Sequence, residues 1–148
     1  MENKLEFKDL VGYLQHNLKV TFEGDEDHVH DLVGLNLNYQ GAELISQYGD
    51  YGRSEINKVK PMLIPLSFLT KEIDHNGKKF IPFIELCETY KKDLNFNDHD
   101  PKKIVNQSII LMQQYGYGHC QTWVFEKLCE WHFDVFGLID KGLAVPLT

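Results

Sequence analysis

Arginine is almost missing from this chain: Arg53 is the only one among 148 residues. Bidentate recognition of phosphate or guanine relies on the arginine fork, so at most one such contact is available. Basic residues are scarce as a class, fifteen Lys plus Arg against twenty-two Asp plus Glu, for a formal charge of −7. That balance excludes a general nucleic-acid binder, whose affinity comes from cations that neutralise phosphates. Cysteine is sparse too. Cys87, Cys120 and Cys129 are an odd number without CxxC spacing, so neither a disulfide framework nor a zinc knuckle is indicated. A thiol in aromatic-rich surroundings such as those of Cys120 and Cys129 reads as a small buried hydrophobe, and a reducing, cytoplasmic setting follows. No apolar stretch approaches the length of a membrane span, and the opening MENKLEFKDL has no signal-peptide core. The GxxxxGK[ST], GxGxxG, GxSxG and HExxH patterns are all absent, and no cofactor is called for. The expectation is a protein that is not an enzyme.

What is present describes an ordinary globular domain. The chain is 43% apolar, 12% aromatic and 25% charged. A domain of this length buries roughly 70% of its unfolded surface and needs neither metal nor disulfide to fold. Residues 1–148 therefore read as a single α+β domain, mainly β over 1–65 and mainly α over 66–148. Leu5, Leu10, Val11 and Leu14 fall at helical spacing. LKVTFE then alternates as a half-buried strand. The acidic segment 24–27 reads as a turn, and Val29, Val33, Leu35 and Leu37 would share one strand face. AELISQY gives a third strand, YGDYGR (48–53) a glycine-rich loop, and INKVKPMLIP an edge strand or an extended crossing segment because of its prolines. Strands this short, separated by tight turns, predict a small bent antiparallel sheet or an SH3-like barrel.

The second half reads as helical, with one exception. Asn76-Gly77 suits the two positive-φ positions of a type I′ turn and predicts a small hairpin between Glu72 and Phe80. Pro82 opens one helix, and Asp100-Pro101 caps the next. Residues 120–136 are apolar nearly all round through Trp123, Val124, Phe125, Leu128, Trp131, Phe133, Val135 and Phe136. A helix of that kind is expected at the centre of the core or of a protein interface, and here it is taken to fill the core.

Two groups of residues have the composition of a site. Tyr48, Tyr51 and Arg53 in one tyrosine-glycine segment, and Tyr115 and Tyr117 in another, join flat amphipathic rings to glycine backbone. Such rings stack on a planar ligand, and Arg53 would add a phosphate or cation–π contact. His28 and His30, two apart on a strand, project from one face and would share a metal ion given a third ligand. Asn97-Asp98-His99-Asp100 lacks the carboxylates of a calcium loop and reads as linker and helix cap. His132 stands without an adjacent orienting group.

Three stretches also carry a resemblance. Lys60-Pro61-Met62-Leu63-Ile64-Pro65-Leu66-Ser67 continues through Leu69-Thr70-Lys71-Glu72-Ile73 to His75-Asn76-Gly77, and Glu130-Trp131-His132-Phe133-Asp134-Val135-Phe136-Gly137-Leu138-Ile139 runs on to Lys141-Gly142-Leu143-Ala144. Together they resemble a group of small proteins encoded by phages and prophages of Bacteroides-type gut bacteria. Gly12 to Val20 looks like a relaxed form of that group's N-terminal segment, and Ile64 stands where an arginine is common. The resemblance covers about half the chain and implies a provenance, the cytoplasm of a bacterial host cell, and a shared scaffold; it brings no catalytic residue with it. The resulting expectation is a phage-encoded accessory protein that binds a protein partner, with self-association into a homo-oligomer compatible with it. The alternatives are sequestration of a small nucleotide signal of anti-phage defence and, third, a metal-dependent enzyme using His28 and His30.

Overall fold

The computed structural model describes residues 4–36, 38, 41–46, 48–93, 100–116 and 120–147. The chain opens with helix α1 (Phe7–Leu10), which tightens into a 3-10 turn at Val11–Tyr13. Five strands follow: β1 (Lys19–Phe22), β2 (Asp25–Asn36), β3 (Gly41–Ser46), β4 (Tyr51–Glu55) and β5 (Val59–Leu63). A hairpin of β6 (Ile73–His75) and β7 (Lys78–Phe80) leads into helices α2 (Pro82–Asp93), α3 (Pro101–Tyr115) and α4 (Thr122–Glu130), and β8 (Val145–Pro146) comes last.

The class is α+β with most of the sheet in the N-terminal half, but the expected small antiparallel sheet or SH3-like barrel does not form. Six strands make one open, mixed sheet in the order β4-β3-β2-β1-β5-β8. The mixing comes from β8, which pairs parallel with Met62 and Leu63 of β5, held further by the Leu147 N–H on the Leu63 carbonyl at 2.7 Å. So the prolines of INKVKPMLIP do not mark an edge strand. Pro61 lies opposite Val20 of β1, and β8 covers the other side of β5. A sheet that ends on β4 and β8 is not closed on itself.

Local departures have local causes. The acidic residues Asp25, Glu26 and Asp27 belong to β2 rather than to a turn, which is confined to the Gly24 corner at φ 85°. The register slips between Leu32 and Gly34, so Leu32 is buried and Val33 is 44% exposed, the reverse of the simple alternation. A second slip between Val20 and Phe22 buries Thr21. YGDYGR is half turn and half strand, for Tyr51–Arg53 enter β4. The expected 120–136 helix is only nine residues long. It stops because His132 adopts φ 64° and the Phe133 N–H returns to the Leu128 carbonyl at 2.9 Å, so the apolar stripe continues as turns. The hairpin does form, with Asn76 at φ 53° and Gly77 at φ 83°, and Asp100 caps α3 through the Lys102 N–H at 3.0 Å.

The turns after α4 are the hub of the core. Ile64 bridges to Phe133: its N–H donates to the His132 carbonyl at 2.8 Å, and its carbonyl accepts from the Asp134 N–H at 2.9 Å. The Tyr13 hydroxyl donates to the Phe133 carbonyl at 2.6 Å and accepts from the Val135 N–H at 3.2 Å. Asp134, itself buried, accepts from the N–H groups of Leu138 and Ile139 at 2.8 and 2.9 Å. Tyr13, Phe133, Leu63, Leu128 and Leu138 are all fully buried. The three stretches that carry the resemblance, around Tyr13, Ile64 and Phe133, thus meet one another in the interior. Their wording serves packing.

Candidate functional site

The hairpin between β3 and β4 is built by one serine and one glycine. The Gly49 N–H donates to the Ser46 carbonyl at 2.9 Å and the Ser46 N–H to the Asp50 carbonyl at 2.8 Å. Gly49 sits at φ 86°, a conformation that side-chain-bearing residues avoid. The Ser46 hydroxyl accepts from the N–H groups of Tyr48 and Asp50 at 3.2 and 3.1 Å, so the donors of Tyr48, Gly49 and Asp50 all have partners.

This corner closes one side of a hollow of about 430 Å³. Its floor is apolar, with Phe22, Val29 and Leu44. Its sides carry His28, His30 and Ser46, and its outer border runs through Tyr48, Asp50, Tyr51, Gly52 and Arg53. Among the sequence candidates, the structure therefore gathers Tyr48, Tyr51, Arg53, His28 and His30 around one concavity. Tyr115 does not border it. That residue is 64% exposed at the end of α3, next to Gly116, which borders a different hollow together with Asp134. Tyr117 and the 97–99 segment lie outside the described residues. Phe22, Leu44 and Ser46 were not among the sequence candidates for this site. Only the Ser46/Gly49 spacing, a serine three residues before a turn glycine, carried a readable signal for it.

The register explains how Tyr51 and Arg53 stand. Gly52 is opposite Leu44 and Ser54 opposite Ala42 on the buried face, whereas Tyr51 is opposite Ile45 and Arg53 opposite Glu43 on the other. Both residues border the hollow from the strand edge, with their side chains on the face away from Gly52 and Leu44. The Arg53 Nε–H donates to the Tyr51 hydroxyl at 3.3 Å, with the guanidinium carbon 6.0 Å from that ring's centroid. Gly52 leaves the border open, since a Cβ there would meet nothing within 4 Å.

The two histidines are not arranged as a metal pair. The His28 Nδ1–H donates to Asp25 Oδ1 at 2.7 Å, and this bond raises the His28 pKa above its ordinary value. The His30 ring stands edge-on to Phe22, centroids 5.0 Å apart, and its Nδ1 is buried with no hydrogen-bond partner among the described residues. Among the described residues, no three His, Cys, Asp or Glu side chains are grouped to hold a metal ion, so the third ligand that the metal reading requires is not supplied by them. Elsewhere, burial pushes the thiols of Cys120 and Cys129 up to about 11 and about 12, far from thiolate chemistry at neutral pH. His132 lies beside His75, ring centroids 5.3 Å apart, with its Nε2–H on the His16 carbonyl at 2.6 Å; burial foremost holds its pKa below the ordinary value.

No helix among the described residues is long and apolar enough to cross a membrane. Comparison with protein-family models, with curated proteins and with solved structures finds no match to this chain.

Proposed function

We propose that this chain is a non-enzymatic binding protein, a phage-encoded accessory factor, that takes an extended segment of a protein partner onto the outer edge of β4. One observation carries the reading: the sheet ends on β4, a five-residue strand with no strand paired to its outer side among the described residues, directly beside the hollow. Exposed edges present a row of backbone donors and acceptors, and proteins that do not use them blunt them. The opposite edge is blunted, for β8 has two residues and one is Pro146. The Ser46–Asp50 bond fixes the phase of the β3–β4 ladder, so Gly52 and Ser54 turn their backbone groups toward β3 while Tyr51, Arg53 and Glu55 turn theirs outward. Strand addition at such an edge takes affinity from main-chain hydrogen bonds and specificity from alternate side chains. An added strand would place every second side chain on the Gly52 side, over the hollow.

The test is a backbone one. Peptides selected from a random library against the whole chain are re-made with single N-methyl groups along their length, and binding is followed by fluorescence anisotropy. Strand addition predicts losses at every second position only. Losses without that alternation, or no selectable peptide, would refute it.

The nucleotide-sequestering reading keeps three of its five residues, Tyr48, Tyr51 and Arg53, around the hollow. Asp25 and Asp50 border the same space and repel phosphates. A thermal-shift screen with cyclic dinucleotides and NAD-derived nucleotides separates the two, because a ligand of the folded state raises its melting temperature. An upward shift would favour the nucleotide reading.

A further inference from the structure

The charges around the hollow specify which side chain of a docked strand fits it. Asp25 and Asp50 border the space, with the aromatic rings of Phe22 and Tyr48 beside them. The adjoining corner between β1 and β2 adds Glu23, Glu26 and Asp27, all exposed, and Glu55 stands at the far end of β4. Against these six carboxylates stand Arg53, His28, whose ring N–H is already on Asp25, and Lys58, 3.8 Å from Glu55. Aromatic faces combined with carboxylates attract a cation, and an anionic side chain would be repelled by the same groups. The entrance is the gap that Gly52 leaves opposite Leu44, on the face to which alternate residues of an added strand would point.

We infer that the hollow admits a lysine or arginine side chain from the strand docked on β4, so that the partner segment is an extended basic one. This rests on the strand-addition reading and goes beyond it by naming the chemistry of the partner. The long apolar stem of such a residue lies over Phe22 and Leu44 while its charged head stays at the acidic rim. The strong acidic excess of the whole chain, formally −7, draws such a segment in.

The probes are three short labelled peptides of alternating threonine and serine that differ only at the central residue: lysine, norleucine or glutamate. Binding to the full chain is measured by anisotropy at low and at high salt. The lysine peptide is expected to bind best, about tenfold above the glutamate peptide, with the difference shrinking at high salt. In the Asp25→Asn/Asp50→Asn variant the lysine preference should fall to the level of norleucine. Equal binding of all three peptides with an intact N-methyl alternation overturns the basic-segment inference and leaves strand addition standing. No binding by any of them, with no alternation in the selected peptides, overturns both. A dimer in sedimentation that blocks peptide binding would show a second copy of this chain to be the occupant and would likewise overturn the inference.

Discussion

Tyr13 shows how a single hydroxyl can tie distant parts of the chain together. Its oxygen serves the Phe133 carbonyl and the Val135 N–H, both in the interior and more than a hundred residues away in sequence. Replacing it by phenylalanine keeps the ring in its buried slot and removes both hydroxyl bonds, leaving those two backbone groups only their mutual contact at 3.0 Å. Hydrogen bonds contribute about 0.5–1.5 kcal/mol each, so losing the two costs about 1–3 kcal/mol. Tyr13→Phe is therefore expected to lower the unfolding free energy by about that amount in urea titration, with an unchanged slope. Asp134 and Ser46 act in the same way on their own turns, each accepting two backbone N–H groups.

Among elements, the β3–β4 hairpin decides whether the proposed docking edge exists. Gly49 must hold φ 86°, and nothing lies within 4 Å of where its Cβ would be. The cost of Gly49→Ala is then a backbone cost alone, about 1 kcal/mol, and Gly49→Asn should recover part of it. Gly12 gives the contrast. A Cβ there would come within 3.1 Å of the Cys129 sulfur, so Gly12→Ala acts through packing in the core, and asparagine would make it worse. Thermal melts of the two alanine and two asparagine variants separate the mechanisms, since only at position 49 should asparagine be the better replacement.

At the scale of the molecule, pH reports how the segments are held together. His132 joins the end of α4 to the turn before β1 through the His16 carbonyl, and its ring meets His75 of β6. The groups facing it are His16, His75 and Lys19, all of which oppose a further positive charge, while Glu130 of α4 acts on His75 in the opposite sense. Burial is the largest cause in both histidines, and both pKa values are lowered from 6.5. The unfolded chain thus binds protons more readily than the folded one. Stability is fully present above the ordinary histidine value and is lost as pH falls below it toward the folded values. Urea midpoints measured from about pH 8 down to about pH 5 are expected to fall through that window. His132→Asn, which tolerates φ 64°, should flatten the profile. Asp134 has a raised pKa from burial and works in the opposite sense, so the comparison between wild type and that variant isolates the histidine.

Local chemistry is what the sequence by itself determined: the Asn76-Gly77 hairpin, the Asp100-Pro101 cap and the run of strands in the first half. These depend on neighbours a few residues apart, where backbone sterics and short hydrogen bonds leave few options. Other features were decided only in three dimensions. The pairing of Val145–Pro146 with β5, the early end of α4, and the meeting of His28, Tyr48 and Arg53 around one hollow depend on residues far apart in the chain. Even the burial of Leu32 in place of Val33 required the register slip against β3. Alternation and helical spacing describe a segment against an unspecified core. Which face is buried, and which edge stays open, is settled when the other segments arrive to compete for the same apolar surface and backbone hydrogen bonds.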